Sequence, residues 1–166
     1  MEKMIVMKPM ECAGCRTCEM VCSVKHYGVS SPVRSQIRVV EWLKEGLCSP
    51  LTCLQCEEAL CEKACPMKAI SRDNKTGAKI IDEKLCVGCR MCVLACPVGG
   101  TAIHLDTRKA MKCDLCGGDP QCVRFCPTGA IEYVDVTDIS HDKKKSGAAL
   151  LLYDVKGQMN QANASK

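Results

Sequence analysis

The sequence predicts a small α+β protein built from two similar modules, with one module inserted into the other. Cysteine is the dominant feature, because 17 of the 166 residues are cysteine whereas only 3% are aromatic. Sixteen of these cysteines fall into four groups of four, called runs one to four below, whose spacing nearly repeats. Short alternating segments between the runs predict brief strands. With so few aromatic side chains, the core needs another source of buried volume. We expect bound metal to supply this volume, and we expect metal binding to be coupled to folding.

Run three sets the pattern that the other runs repeat. Residues 86–97 read CVGCRMCVLACP, in which the cysteines are Cys86, Cys89, Cys92 and Cys96. The spacing C-x-x-C-x-x-C-x-x-x-C-P is that of bacterial ferredoxins, where three cysteines bind one 4Fe-4S cluster and the fourth binds a second cluster. Gly88 gives the loop access to positive φ. Pro97 follows the fourth cysteine, at a place where a missing N–H costs nothing.

The chain begins with a predicted strand, residues 3–8, that leads into run one. This run has the offsets of run three, with Gly14 in the place of Gly88, and consists of Cys12, Cys15, Cys18 and Cys22. Ser23 follows the fourth cysteine instead of proline, and the segment CEMVCSVKH predicts a helix that projects Cys22. Residues 36–43, QIRVVEWL, predict a second strand that is able to pair with the first.

Runs two and four are expanded versions of the same motif. Run two has two extra residues between its second and third thiols and consists of Cys53, Cys56, Cys61 and Cys65. Residues 69–72 and 79–82 predict strands on either side of a turn at 73–77, and residues 101–105 and 110–112 predict another hairpin. Run four has three extra residues and consists of Cys113, Cys116, Cys122 and Cys126.

The loop types suggest how the runs pair. Pairing run one with run four, and run two with run three, gives each pair one compact and one expanded loop, as duplication of a two-cluster unit would. We therefore expect an outer module of residues 1–47 and 106–140 and an inserted module of residues 48–105. In the tail, residues 141–166, we expect a solvated linker at 143–145. Residues 148–155 predict a strand on the body or a segment that docks a partner.

Charge and location follow from the cysteines. A disulfide framework is the other explanation for so many thiols, but the N-terminus has no apolar segment with a cleavage site, which favours the reducing cytoplasm. The apolar runs are too short to span a bilayer.

The formal net charge is +4, and four clusters of about −2 each would bring it to about −4, so nucleic acid is not an expected partner. Basic residues beside the runs either offset this buried charge, meet a partner or are simply solvated, and they are Arg16, Lys68, Arg90, Lys112 and Arg124.

A few residues lie outside the pattern. Cys48 belongs to no run and is expected to be a free thiol that is at least partly buried. His26, four residues after Cys22, is an ordinary helix-end histidine or a residue that tunes a cluster. His104 is expected to pack within a strand. Trp42 and Phe125 are expected to pack against clusters or strands rather than to relay electrons.

The four runs together resemble a known family. The segments ECAGCRTCEMVCSVKH, CLQCEEALCEKACP, CVGCRMCVLACPVG and KCDLCGGDPQCVRFCPTGAI are similar to those of the four-cluster iron-sulfur subunits of molybdenum and tungsten oxidoreductases. The resemblance covers residues 1–136. The chain is shorter than most dimethyl sulfoxide reductase-type members, and we expect it to lack their long insertions and a membrane anchor. It looks most like the small subunit of tungsten-dependent aldehyde oxidoreductases.

This resemblance implies that the fourth cysteine of each run crosses to its partner run. The implied ligand sets, called A to D, are Cys12, Cys15, Cys18 and Cys126 for A; Cys113, Cys116, Cys122 and Cys22 for B; Cys53, Cys56, Cys61 and Cys96 for C; and Cys86, Cys89, Cys92 and Cys65 for D. Each set would hold one 4Fe-4S cluster.

The expected function is electron transfer. An iron-sulfur cube with four cysteine ligands has no open site for substrate, and the sequence has no phosphate-binding glycine motif or nucleophile with a base. We therefore expect a non-catalytic subunit that relays electrons between a molybdenum- or tungsten-pterin catalytic subunit and a flavin-containing subunit or soluble acceptor. Cluster sites near both ends would also allow copies to stack. The alternatives are a free polyferredoxin shuttle and a zinc-binding interaction module, although zinc modules rarely place three cysteines so close together.

Overall fold

A computed structural model describes residues 3–137 of the chain, so the expectations for residues 141–166 lie outside the described residues. Every element in the described part is short. The helices are α1 (Thr17–Tyr27), α2 (Leu60–Lys63), α3 (Met91–Ala95) and α4 (Gln121–Arg124). The strands are β1 (Lys3–Met7), β2 (Arg38–Trp42), β3 (Leu47–Leu51), β4 (Ile70–Arg72), β5 (Lys79–Ile81), β6 (Thr101–Ile103), β7 (Ala110–Lys112) and β8 (Ile131–Asp135). The expected mixed fold of short strands and few helices is confirmed.

The strands form two-stranded antiparallel sheets. β4 pairs with β5 and β6 with β7, as the two predicted hairpins require. The expected pairing of the first two strands is wrong: β1 pairs with β8, from Lys3 opposite Asp135 to Met7 opposite Ile131, and β2 pairs with β3. A hairpin with β3 needs only a short loop, so β2 closes locally at little entropic cost. Neither β3, which contains Pro50, nor β8 is predicted by the sequence pattern.

Helix α1 carries the second half of run one, as the sequence predicts. It ends at Gly28, whose left-handed φ of 70° lets its N–H donate to the Val24 carbonyl. Glu19 ties α1 to β2, because its buried Oε1 accepts the Val39 N–H at 2.7 Å. Helices α2, α3 and α4 have only four or five residues each, which is too short to be stable in isolation. Within residues 3–137 no helix is long and apolar enough to cross a membrane.

The core is made largely of cysteine and small aliphatic side chains. A first group of buried residues joins Ile5, Ile37, Leu115 and Ile131 to five cysteines, namely Cys18, Cys22, Cys53, Cys113 and Cys122. A second group contains Cys61 and Cys92 with Ala59, Ile70 and Ala110. Trp42 and Phe125 contribute little to the interior, since 46% and 51% of their surface is exposed. The cysteines therefore occupy the place that large apolar side chains fill in most domains.

Candidate metal centres

All four runs share a left-handed residue at one equivalent place. The second residue after the first cysteine has positive φ in each run: 67° at Gly14, 52° at Gln55, 72° at Gly88 and 57° at Leu115. A left-handed residue at this place reverses the chain so that successive cysteines can face a common point. The sequence identified the two glycines. It did not identify Gln55 and Leu115, because nothing in the identity of an L-residue announces positive φ.

The cysteines expected in set A lie around one cavity. Its lining includes Cys12, Cys15 and Cys18 of run one together with Cys126 of run four. The neighbouring walls are mainly apolar, and Val39 and Ile131 are among their residues. Burial, followed by the charges of Glu19, Cys15 and Cys12, raises the pKa of the Cys18 thiol to about 12. A run-one loop and a run-four cysteine thus form a single tetrathiol site.

Set D has the same construction. One cavity is lined by Cys86, Cys89 and Cys92 of run three and by Cys65 of run two. Burial raises the pKa of the Cys92 thiol, and charges on Cys86, Cys65 and Cys89 add to the shift. No disulfide joins the cysteines of residues 3–137. The donor set, four reduced thiols within an apolar wall, fits a 4Fe-4S cluster.

Set B is the most buried of the four. Burial raises the pKa of the Cys122 thiol, with further contributions from Cys113, Cys22 and Cys116, which are the other members of the set. Burial likewise raises the pKa of Cys113 to about 12. Such thiols hold their protons in an apolar core, and only a bound cation makes the thiolate form favourable. The chemistry of the site therefore favours metal over free thiolates.

Set C joins two runs through a glycine. Gly100 lies against run two, because a Cβ at this position would be 2.8 Å from the Cα of Cys53. The Gly100 N–H also donates to the Cys96 Sγ at 3.2 Å. Cys53 and Cys96, from runs two and three, consequently lie beside one another. Cys61 is buried in the second core group, whereas Cys56 is exposed.

Backbone N–H groups point at the fourth cysteine of each run. The N–H groups of Ala69 and Gly100 donate to Cys65 and Cys96, four residues earlier, at 3.3 and 3.2 Å. The Gln36 N–H donates to Cys22 at 3.3 Å. At Cys126, burial raises the pKa, but hydrogen bonds from the Thr128 side chain and from backbone N–H groups lower it more, so the net shift is downward. Such donors stabilise negative charge on the sulfur.

Runs two and four lie against each other at Cys53 and Cys113. Cys53 and Cys113 belong to the same core group, and the charge of Cys53 contributes to the raised pKa of Cys113, after burial as the main cause. The Gln55 side chain connects the loops, since its Nε2 donates to the Cys113 carbonyl at 2.7 Å and its Oε1 accepts the Lys79 N–H at 2.8 Å. Sets B and C are therefore neighbours.

The remaining cysteine and histidines lie close to these sets. Cys48 is a half-buried free thiol, as expected, and its Sγ lies close to Gly14 of run one. His26 lies beside set B, with Nε2 3.4 Å from Asp114 Oδ1 and 3.8 Å from Cys116 Sγ. These three side chains bring potential metal-ligand atoms within 4.8 Å of one another, but Cys116 already belongs to set B. His104 is buried after β6, where its ring centroid lies 4.8 Å from that of Tyr27.

The basic residues named from the sequence divide into different environments. Arg16 forms an exposed ion pair with Glu41 at 2.9 Å, and the guanidinium of Arg124 lies 5.9 Å from the ring centre of Phe125. Lys68 and Arg90 have left-handed backbones. Lys112 is buried, and its Nζ has no hydrogen-bond partner within the part of the chain that the structure describes.

Comparison with known proteins identifies the family. The 4Fe-4S dicluster domain matches residues 44–136, and a 4Fe-4S binding domain matches residues 9–25. The polyferredoxin-like subunit of an aliphatic sulfonate oxidoreductase from Pyrococcus furiosus is 46% identical over 122 residues, covering 74% of this chain and 70% of the relative. The putative electron transport protein YsaA of Escherichia coli is 36% identical over 158 residues, covering 86% and 96%. A solved active site complex BamBC of benzoyl coenzyme A reductase has 27% identity and a TM-score of 0.46, covering 93% of this chain and 96% of that chain.

The matched segments contain the cysteines described above. The dicluster match spans runs two, three and four, and the shorter match spans run one. Both matches name the 4Fe-4S cluster, in agreement with the tetrathiol sites. The chain therefore belongs to the 4Fe-4S dicluster family and is an iron-sulfur electron-transfer subunit of the kind found in oxidoreductase complexes.

Proposed function

We propose that the chain holds four 4Fe-4S clusters in sets A to D and passes electrons along them one at a time. The observation that carries this proposal is the cavity composition at sets A and D, where three cysteines of one run and the fourth cysteine of another line a common space. Each cluster would accept and donate a single electron without binding substrate, because all its irons have cysteine ligands. The polypeptide would position the cubes and exclude water from them.

The contacts between sets support the linear order A, B, C, D. Cys18 of set A and Cys122 of set B share the first core group, in which Cys113 of set B also meets Cys53 of set C. Cys61 of set C and Cys92 of set D share the second group. Exposed cysteines occur in both end sets, Cys15 in A and Cys89 in D, and also in the inner set C, at Cys56. Electrons would enter at one of these ends and leave at the other.

A duplicated arrangement is part of the same proposal. Residues 1–47 and 106–140 would form the outer module and residues 48–105 the inserted one. The pairing of β1 with β8 supports this division, because it brings the start of the chain against the strand that follows run four. The β4–β5 hairpin, between runs two and three, keeps its pairing within the inserted segment. The closure of the outer module by distant strands is what an insertion requires.

The partner would be a catalytic oxidoreductase subunit. We assign it a molybdenum- or tungsten-pterin centre of the aldehyde oxidoreductase type, with a flavin-containing subunit or soluble acceptor at the opposite end of the relay. The name of the relative from P. furiosus, a subunit of an aliphatic sulfonate oxidoreductase, supports a catalytic oxidoreductase as partner. The reducing cytoplasm would keep the sixteen ligands as thiols before the clusters are built.

Metal and sulfide analysis tests the cluster number. Oxygen-free preparations of the full chain should be brown and should contain about sixteen irons and sixteen sulfides per chain, four of each per cluster. Visible absorption near 400 nm should bleach on reduction with dithionite. A yield well below sixteen irons would contradict the four-cluster assignment. A colourless protein that contains zinc in place of iron and sulfide would support the interaction-module alternative.

A free polyferredoxin shuttle is the second candidate. The relative YsaA is named as an electron transport protein without a catalytic partner in its name, which favours this alternative. Isolation of the chain from its native cells under anaerobic conditions separates the two. Recovery with a large subunit that contains molybdenum or tungsten supports the relay within a complex, whereas recovery as a single brown chain supports the shuttle. Particle sizing at several concentrations in the same preparation tests self-stacking.

A further inference from the structure

Lys112 is a buried lysine whose Nζ has no hydrogen-bond partner in the described polypeptide. Only 5% of its surface is exposed. Lys79 has comparable burial, 8% exposed, but its Nζ lies 2.6 Å from Glu62 Oε2. Burial of an unpaired ammonium is strongly unfavourable. Glu83 and Asp114 line the same cavity as Lys112, but neither carboxylate forms a hydrogen bond with its Nζ. A direct negative partner for this side chain is therefore absent among the described residues.

The β6–β7 hairpin shows which way Lys112 faces. Lys112 lies directly opposite Thr101 in the pairing of the two strands, so both side chains occupy the same face. The Thr101 Oγ1 is also buried and without a partner. Ile103 and Ala110, one pair further along that face, pack in the second core group with Cys61, Cys65, Cys86 and Cys92. This face of the hairpin is therefore turned toward the cysteines of runs two and three.

The sequence neighbours of Lys112 and Thr101 connect these two residues to two different ligand sets. Lys112 directly precedes Cys113 of set B. Thr101 directly follows Gly100, which abuts Cys53 and donates its N–H to Cys96, both members of set C. The unpaired ammonium and hydroxyl consequently lie where sets B and C approach each other.

We propose that Lys112 is the charge partner of the clusters in sets B and C and raises the reduction potential of both. This inference rests on the proposed function, since it requires clusters in these two sets. Reduction adds one negative charge to a cluster, and a nearby cation stabilises the reduced form more than the oxidised form. Burial strengthens the interaction, because water and salt cannot screen it well. Lys112 thereby stabilises the transferred electron at the junction between the two modules.

A charge-removal series on the full chain tests the proposal. In K112M the cation is replaced by a neutral side chain of similar length, and in K112R the charge is kept. K109M is the matched control, because Lys109 lies in the same hairpin region but its Nζ donates to the Glu83 carbonyl at the surface. The reduction potentials are measured by titration with dithionite, followed by electron paramagnetic resonance of the reduced clusters.

We expect K112M to shift two of the four reduction equilibria at least tenfold toward the oxidised form, which is about 59 mV for a one-electron couple. K112R should restore both potentials to near their original values, and K109M should shift none by more than twofold. Loss of clusters in K112M but not in K112R also supports the proposal, because charge alone distinguishes the two variants.

Three results would overturn it: unchanged potentials in an iron-replete K112M protein, an equal shift in K109M, or loss of clusters in both K112M and K112R. The last result would mean that the site requires the shape of lysine and not its charge. Failure of the proposed function is recognised separately, in the unmodified protein, by an iron content well below sixteen per chain.

Discussion

Gly14 and Gly88 occupy equivalent places in runs one and three but have different surroundings. A Cβ at Gly14 would lie 2.9 Å from the Cys48 Sγ, which is the end of a side chain. A Cβ at Gly88 would lie 2.6 Å from the backbone carbonyl oxygen of Arg108. A side chain can turn away, whereas a backbone carbonyl in a loop beside β7 cannot move without disturbing the hairpin. Equivalent glycines therefore differ in how replaceable they are.

Alanine substitution at these glycines should distinguish the cost of a left-handed backbone from the cost of a steric clash. The left-handed backbone alone costs an L-residue about 1–2 kcal/mol, and Gly28, with φ of 70° and open space around it, provides the control G28A. We expect G14A to lose more thermal stability than G28A, the double variant G14A/C48A to recover part of that loss relative to the unmodified chain, and G88A to lose the most and to lower the iron content. Thermal unfolding and iron analysis of the five proteins measure this. Equal losses in G14A and G28A would show that Cys48 does not restrict the loop.

At the scale of secondary structure, the described elements are too small to account for their own stability. Helices α2, α3 and α4 each carry the third cysteine of a run, at Cys61, Cys92 and Cys122, and each is at most five residues long. Packing and ligand bonds to a cluster must stabilise these helices, because a helix this short is unfavourable alone. The strands are equally short, in sheets of only two strands. Metal binding is therefore expected to be part of folding.

Removal of iron should unfold the chain cooperatively. We expect anaerobic chelation of iron to abolish the helical circular dichroism signal and to make the backbone sensitive to protease, because the apolar core without clusters is too small. Reconstitution with iron and sulfide should restore both signals. Circular dichroism, recorded alongside absorption near 400 nm, measures the two changes together. A chain that keeps its circular dichroism after losing all iron would contradict this coupling.

The elements also show what a sequence can reveal about this kind of fold. Alternating segments located β1, β2 and the hairpins β4–β5 and β6–β7, since their side-chain pattern is local. β8 was not predicted, because residues 131–135, IEYVD, follow soon after a cysteine run and their partner is β1, more than 120 residues away. Lys112 could be named from the sequence as a basic residue beside a run, but its burial and missing partner depend on the packing of two hairpin strands against distant cysteines.

At the scale of the whole molecule, two cavities bring the fourth cysteine of one run beside another run. Cys126 lines a cavity with run one, more than 100 residues away, and Cys65 lines one with run three. The loop types in the sequence predict this pairing of runs, because duplicated units keep their loop lengths. The order of the sets along the molecule could not be predicted in this way. It depends on the contact between Cys53 and Cys113, which belongs to tertiary packing alone.

Paired cysteine substitutions distinguish crossed ligand sets from sets confined to one run. In the crossed arrangement Cys12 and Cys126 hold the same cluster, so the double variant C12A/C126A should lose one cluster, about four irons. Cys12 and Cys22 lie in the same run but hold different clusters, so C12A/C22A should lose two clusters, about eight irons. Both variants lack two cysteines, which makes them matched controls for each other. Iron analysis and spin quantitation of the reduced proteins measure the losses, and the opposite pattern would assign each cluster to a single run, because substitutions within one ligand set are not additive.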